Sequence, residues 1–258
     1  MTSPAWDPGQ YERYTDQRLR PALELLARVH LEAPERVFDL GCGTGRVTRL
    51  LAERWPTARV VGLDNSAAML EQARGESSRV EWVEADAASW RPDEPADLIY
   101  SNATLHWLDD HAGLFPRLLE HLRPGGVLAV QMPLSWDLPS HRLLRETLAQ
   151  GPHGSDALRT RLARRWVDDA PVYYDLLAPG AASIDVWETE YLQQLQGDDP
   201  VLEWVSGTTL RPVFEELEGE ARQAFLADYC ARLRAQYPRR ADGTTLFPFR
   251  RLFLVATR

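Results

Sequence analysis

The feature that most constrains this chain is the run Val37-Phe38-Asp39-Leu40-Gly41-Cys42-Gly43-Thr44-Gly45. A short apolar stretch that ends in glycines suits a buried strand entering a sharp turn. Residues 46–55 then put Val47, Leu50, Leu51 and Trp55 at helical spacing, and Pro56 stops them. A strand, a glycine turn and a helix in that order bring backbone N–H groups and a helix N-terminus close to a bound anion or nucleotide. The pattern is Gly41-x-Gly43-x-Gly45. A dinucleotide fingerprint has its third glycine one residue later, which argues against a nicotinamide site.

The same rhythm continues downstream. Residues 59–63, 80–83, 97–101 and 127–132 are short apolar runs. Helical patterns lie between them, with Ser66 as the N-cap of one and Pro124-Gly125-Gly126 ending another. Strands alternating with helices predict a parallel sheet covered on both faces. After Pro133 the rhythm breaks. Residues 138–148 read as a helix, 151–171 as a polar, Arg-rich mobile or capping segment, and 186–195 as a return to the sheet. Residues 200–205 and 215–237 read as helices, and 249–257 as a final strand. No linker separates independent folding units. The expectation is one domain over 1–258, with a cofactor-binding core at about 30–133, a helical cap at about 139–179 and C-terminal strands and helices at about 184–258.

Carboxylates recur at the strand ends. Asp39 precedes the loop, Asp64 ends the second strand and Asp86 follows the third. Ligands of open α/β sheets bind at that edge. Asp64 suits both ribose hydroxyls of a nucleoside, Asp86 with the Ala87 backbone suits an adenine amino group, and Asp39 suits either orienting the loop or accepting from a ligand ammonium. Any one of them alone is more simply a cap or a solvated turn. Three at successive strand ends beside a glycine loop make a site. Cys42 lies inside that loop, where a small side chain is tolerated, and no His/Asn set accompanies it as it would a nucleophile. Cys230 sits in a helical pattern and reads as core. Two distant cysteines form neither a metal pattern nor a disulfide framework, so no metal is expected and cytoplasmic residence is. With 29 basic and 38 acidic side chains the net charge is −9, which gives no long-range attraction to nucleic acid or anionic lipid. The first ten residues lack a secretory pattern, and no window approaches a membrane span.

These residues resemble the class I S-adenosylmethionine-dependent methyltransferases. Asp39-Leu40-Gly41-Cys42-Gly43-Thr44-Gly45 is similar to their first motif, Gly62-Leu63-Asp64-Asn65-Ser66 with Met69-Leu70 to the second, and Asp86-Ala87 to the third. Ser101-Asn102-Ala103-Thr104-Leu105-His106-Trp107-Leu108 is similar to the fourth, and Leu122-Arg123-Pro124-Gly125-Gly126 to the turn before the fifth strand. Beyond these motifs the chain resembles the trans-aconitate 2-methyltransferase family. That resemblance is carried by Trp6-Asp7-Pro8, Tyr11, Arg18, Arg20-Pro21, the 25–29 run, Gln131-Met132-Pro133, Tyr173-Tyr174-Asp175, Leu210-Arg211-Pro212 and Arg251-Leu252-Phe253. It implies a Rossmann-like α/β fold: a mostly parallel seven-stranded sheet with an antiparallel C-terminal strand, helices on both faces and a helical insertion. It also implies S-adenosyl-L-methionine as cofactor, held by Asp39, Gly41, Cys42, Gly43, Asp64, Asn65, Met69, Asp86, Ala87, Asn102 and Trp107. The sequence departs from the family pattern at His106, where Gln is expected, at Arg250, where Pro is expected, and across 151–171. All three bear on the acceptor rather than on the cofactor.

The acceptor implied is a carboxylate of a small polycarboxylic acid. Its pKa of roughly 4 leaves it ionised at pH 7, so no catalytic acid or base is nominated and positioning does the work. Binding it requires cations and donors. The candidates are Arg211 and Arg251, with Tyr173 and Tyr174 as hydroxyl donors and His106 as a hydrogen-bonding group. Arg18 or Arg20 is a candidate for the cofactor carboxylate. The Arg run at 159–165 reads as a solvated helix face. Trp136, Trp187 and Trp204 read as core. Two alternatives stay open: a hydroxyl or amine acceptor, with His106 as base, and a cofactor-binding module without transferase activity. The chain is expected to act as a monomer or weak homo-oligomer.

Overall fold

The computed structural model describes residues 15–75 and 79–258, with side chains from residue 19 onward. Trp6-Asp7-Pro8, Tyr11 and the side chain of Arg18 lie outside the described residues. Helix α1 (Thr15–Ala27) comes first and has no counterpart in the expectations above, although Ala22, Leu25 and Leu26 bury at helical spacing. Then follow β1 (Arg36–Leu40), α2 (Arg46–Arg54), β2 (Arg59–Asp64), α3 (Ala67–Arg74), β3 (Glu81–Glu84), β4 (Ala96–Asn102), a 3-10 turn at Leu105–Trp107, α4 (His111–Glu120) and β5 (Leu122–Pro133). After these come α5 (Pro139–Gln150), α6 (Asp156–Ala163), α7 (Ala170–Leu177), β6 (Ser183–Leu195), α8 (Pro200–Ser206), α9 (Arg211–Glu216), α10 (Gly219–Gln236) and β7 (Thr245–Thr257).

The seven strands form one sheet in the order β3-β2-β1-β4-β5-β7-β6. Strands β1 to β5 pair in parallel, and β7 runs antiparallel to β5. The expected sheet is therefore present. Its strand order reverses between β1 and β4, the switch point at which ligands of open α/β sheets bind. Strand β4 is buried on both faces, as parallel strands under helices must be. The outer strand β6 alternates exposed and partly buried residues instead.

The chain divides into two compact units. One comprises 18–133, 166–189 and 251–258, and contains β1 to β5 with their helices. The Asp97 carboxylate fastens two of its strands, accepting from Glu35 N at 3.2 Å and Arg36 N at 2.9 Å and pairing with Arg123. Tyr100 secures α1 by donating to Ala22 O at 2.7 Å. The other unit comprises 15–17, 134–165 and 190–250 among its described residues, and is largely helical. Its core gathers Leu144, Leu148, Leu158, Trp204, Phe225, Tyr229 and Phe247.

Within that second unit residues 151–165, the first part of the polar segment, are more ordered than their composition suggests. Ser155 caps α6 by accepting from Leu158 N, and Glu216 accepts from both Ser155 N and Ser155 Oγ. Arg159 donates to Leu148 O and His153 O, and Arg161 pairs with Glu215. The helix expected over 215–237 is split at Leu217-Glu218 into α9 and α10. Trp204 is core, as expected, whereas Trp136 is half-buried beneath Arg145, whose guanidinium lies 3.8 Å from its ring centre. In the sheet unit Trp187 is half-buried too, stacked on Phe253 at 4.9 Å and 8°.

Candidate active site

All three loop glycines have positive φ: 74° at Gly41, 55° at Gly43 and 77° at Gly45. The reasons differ. A Cβ on Gly41 would lie 2.1 Å from the Thr104 side chain, and one on Gly45 would lie 2.1 Å from the Trp82 ring. Packing requires those two. A Cβ on Gly43 would meet nothing within 4 Å, so this residue borders open space. Gly41 N and Cys42 N donate to Leu63 O at 2.7 and 2.9 Å, which ties the loop to the end of β2.

Asp64, at the tip of β2, accepts from Gly43 N through Oδ2 at 2.8 Å and from Ser66 N through Oδ1 at 2.9 Å. A carboxylate has about four acceptor positions, so both oxygens keep capacity for a ligand hydroxyl. Ser66 caps α3 as expected, accepting from Met69 N. Met69 is half-buried and Asn65 exposed. Asp86 is exposed, its Oδ1 accepting from Ala88 N at 2.9 Å, and Ala87 beside it is buried. Asp39 differs: it is 2% exposed, and Thr48 Oγ1 donates to it at 2.6 Å. Burial raises its pKa to about 7, the Thr48 bond opposing and the Asp64 charge adding to the rise. Burial first, then the Asp39 and Asp64 charges, push the Cys42 thiol far above its ordinary range, which removes it as a nucleophile. An open space over Gly43, flanked by strand-end carboxylates with spare acceptor positions, fits a nucleoside-bearing cofactor.

The chain bends abruptly after β4. Ala103 takes φ 55°, and its N–H donates to Gln131 O at 2.9 Å. A non-glycine residue there costs roughly 1–2 kcal/mol. Thr104 then donates from Oγ1 to Gly41 O at 3.1 Å, joining this turn to the glycine loop. The bend carries Asn102, half-buried, and His106, whose ring lies 4.7 Å from that of the exposed Trp107. Burial, helped by the charges of Arg251 and His111, pushes His106 down to about 3, so the ring is neutral at working pH.

Arg251 lies on β7 opposite Pro133 and is 5% exposed, with Nη1 donating to Gln131 Oε1 at 3.2 Å. Tyr173 is fully buried. Its hydroxyl lies 2.8 Å from His111 Nδ1 and accepts from Asp168 N at 3.1 Å. Tyr174, next to it, is 52% exposed. Arg211 opens α9 in the helical unit and is exposed. Arg20 pairs with Glu24 on α1 at 2.7 Å. The sheet unit thus brings together the loop, the three carboxylates, Asn102, His106 and Arg251. Four residues of this region were not singled out from the sequence: Trp82, Thr104, His111 and Gln131. Thr104 and Gln131 fall inside runs that carried the resemblance, and Trp82 and His111 gave no local signal. Among the described residues there is no cluster able to hold a metal ion and no helix long and apolar enough to cross a membrane.

Comparison with known proteins follows the same lines. A family model described as a methyltransferase domain matches residues 37–126. The fold is similar to a methyltransferase of Bacillus halodurans, with TM-score 0.59, 14% identity and coverage of 92% of this chain and 98% of that one. It is also similar to the phosphoethanolamine N-methyltransferase 2 of Haemonchus contortus in complex with S-adenosyl-L-methionine, with TM-score 0.55 and 18% identity over 93% of this chain and 52% of that one. In sequence the likeness is much stronger. The trans-aconitate 2-methyltransferase of Azoarcus sp. strain BH72 is 51% identical over 99% of this chain and 100% of its own length. That of Methylobacterium radiotolerans is 49% identical over 97% of each. Identity at this level reaches far outside the stretch that every methyltransferase domain shares, and on that ground the chain belongs to the trans-aconitate 2-methyltransferase family.

Proposed function

We propose that this enzyme uses S-adenosyl-L-methionine to methylate one carboxylate of trans-aconitate, forming a methyl ester. The observation that carries this reading is full-length identity of about one half to relatives named for that reaction. When bound, the cofactor supplies an electrophilic methyl carbon on a sulfonium sulfur. Asp64 accepts from the ribose hydroxyls, Asp86 with the Ala87 backbone binds the adenine amino group, and Asp39 orients the loop or accepts from the ammonium. Gly41, Cys42 and Gly43 bring the backbone close, Asn65 and Met69 flank the nucleoside, and Asn102 and Trp107 border the reacting end.

An acceptor carboxylate is already ionised at neutral pH, so the protein need not remove a proton. Its contribution would be to exclude water and to position one acceptor oxygen against the methyl group. Arg251 supplies positive charge, and neutral His106 supplies a hydrogen bond. Arg211 and Tyr174 remain candidates on the resemblance alone, whereas the Tyr173 hydroxyl is already engaged by His111 and Asp168 N. The same reading takes a small anionic metabolite as the partner in the cytoplasm, with no nucleic acid or membrane and with a monomer or weak homo-oligomer as the working form. The test is direct: incubate the purified chain with cofactor and trans-aconitate, follow S-adenosylhomocysteine, and identify the product by mass. A monomethyl ester formed well above the acceptor-free blank is expected. A rate no higher than the blank overturns the reading.

A further inference from the structure

Among the described residues, three buried side-chain atoms with no hydrogen-bond partner gather where β4 and β5 end: Asn102 Oδ1, His106 Nδ1 and Gln131 Nε2. A buried polar group left unpaired costs about 1–3 kcal/mol, so three of them in one region require an explanation. Asn102 and Gln131 are register partners on adjacent parallel strands, and therefore project from the same face of the sheet. Arg251 lies two residues along β7 from Phe253, the register partner of Gln131, so it shares that face. Gln131 is fully buried. Its carbonyl oxygen accepts from Arg251 Nη1, which decides the orientation of the amide. With Oε1 turned to the guanidinium, the NH2 group is the end that remains to donate.

The strand order gives the direction of the site. The glycine loop, Asp64 and Asp86 occupy the β1, β2 and β3 ends, whereas Gln131 and Arg251 occupy β5 and β7, on the other side of β4. A cofactor lying along the first three strand ends reaches β4 with its reactive end, and the molecule it reacts with sits beyond. We infer that Gln131 is an acceptor-binding residue: its Nε2–H donates to a carboxylate of the acceptor beside the Arg251 charge, and Arg251 fixes the amide for that purpose. The carboxylate so held is one that is not methylated, because donors on the reacting oxygen would withdraw the electron density it needs for attack. This inference rests on the proposed function and adds to it a recognition element for the acid.

The test uses Gln131→Glu and Gln131→Leu in the full chain. The Glu variant keeps an oxygen for Arg251 to donate to, replaces the NH2 donor by an acceptor and adds a negative charge, whereas the Leu variant removes the donor without adding charge. The expected result is a trans-aconitate KM raised by roughly 10- to 150-fold, the range for losing a hydrogen bond to a charged group. The affinity for S-adenosylhomocysteine should stay within about twofold, and kcat should change far less than KM, as when uniform binding is removed. Melting curves and S-adenosylhomocysteine binding verify folding, and the Glu variant decides if the Leu variant does not fold. An unchanged acceptor KM in Gln131→Glu, or a fall confined to kcat, overturns the inference while the wild-type activity stands. A wild-type enzyme inactive on trans-aconitate overturns both readings together.

Discussion

Single residues in the loop have separable duties. A side chain on Gly41 collides with Thr104 inside the protein, whereas one on Gly43 enters open space. Gly43→Val should therefore abolish cofactor binding at a smaller loss of stability than Gly41→Val, although φ 55° makes any side chain there somewhat strained. Calorimetry of S-adenosylhomocysteine binding, paired with melting curves, gives both quantities, and normal binding by Gly43→Val would show that the cofactor lies elsewhere. If Asp64 accepts from the ribose hydroxyls as proposed, the same calorimetry should show Asp64→Ala weakening cofactor binding by roughly 10- to 150-fold. Asp39 is a different case because its pKa is raised on folding, from 3.8 to about 7. The folded state holds its proton more tightly than the unfolded state. Its contribution to stability is fully present below about 4 and is lost as pH rises through about 7. Asp39→Asn should remove that loss, so the variant should match or exceed the wild type in stability at pH 8. Urea unfolding at pH 5 and pH 8 reads the difference, and a variant no less pH-dependent than the wild type would count against it.

At the level of elements, the parallel half was legible and the rest only partly so. Strands β1, β2 and β5 contain apolar runs closed by glycine, a helix cap or proline, and those signals are local. Helix α1 is poorly announced in the sequence because Pro21 and a charged surface obscure the Ala22, Leu25 and Leu26 stripe. The segment at 151–171 reads from composition as mobile or capping, and its α6 is held by Glu216 and Glu215, more than fifty residues away in sequence. No local pattern can announce such partners. The same limit applies to Tyr173. The family resemblance of Tyr173-Tyr174-Asp175 implies a hydroxyl available to an acceptor, whereas the fold engages that hydroxyl with His111 and Asp168 N and packs the ring 4.8 Å from Phe115. Tyr173→Phe should accordingly cost about 1–3 kcal/mol of stability, from the polar partners left behind. Acceptor KM should move little. A large rise in KM without loss of stability would return Tyr173 to the acceptor site. The carboxylates proposed to hold the cofactor are each announced locally at a strand end, whereas the Gln131 amide is oriented only when β7 brings Arg251 to it.

Taken whole, the molecule reads as a machine for positioning a ready-made nucleophile, and pH separates that from its rival. A phenol or amine acceptor needs a base. His106 is the candidate, but a group pushed down to about 3 takes up protons poorly at neutral pH. A carboxylate acceptor ionises near ~4 and needs none. The rate at saturating substrates should therefore be flat between about pH 8 and 10, since nothing on the acceptor titrates there. A steep climb through that range would favour the rival. Any acid limb should instead appear in cofactor affinity. If ionised Asp39 accepts from the cofactor ammonium, affinity must fall as pH drops below about 7, where the carboxyl takes up its proton. Asp39→Asn should then bind weakly and show no such limb. If Asp39 only orients the loop through Thr48, the variant keeps its affinity, because an amide oxygen can still accept the 2.6 Å bond from the hydroxyl. Isothermal titration with S-adenosylmethionine at pH 5.5 and 8, on wild type and variant, distinguishes the two roles independently of which acid is the acceptor.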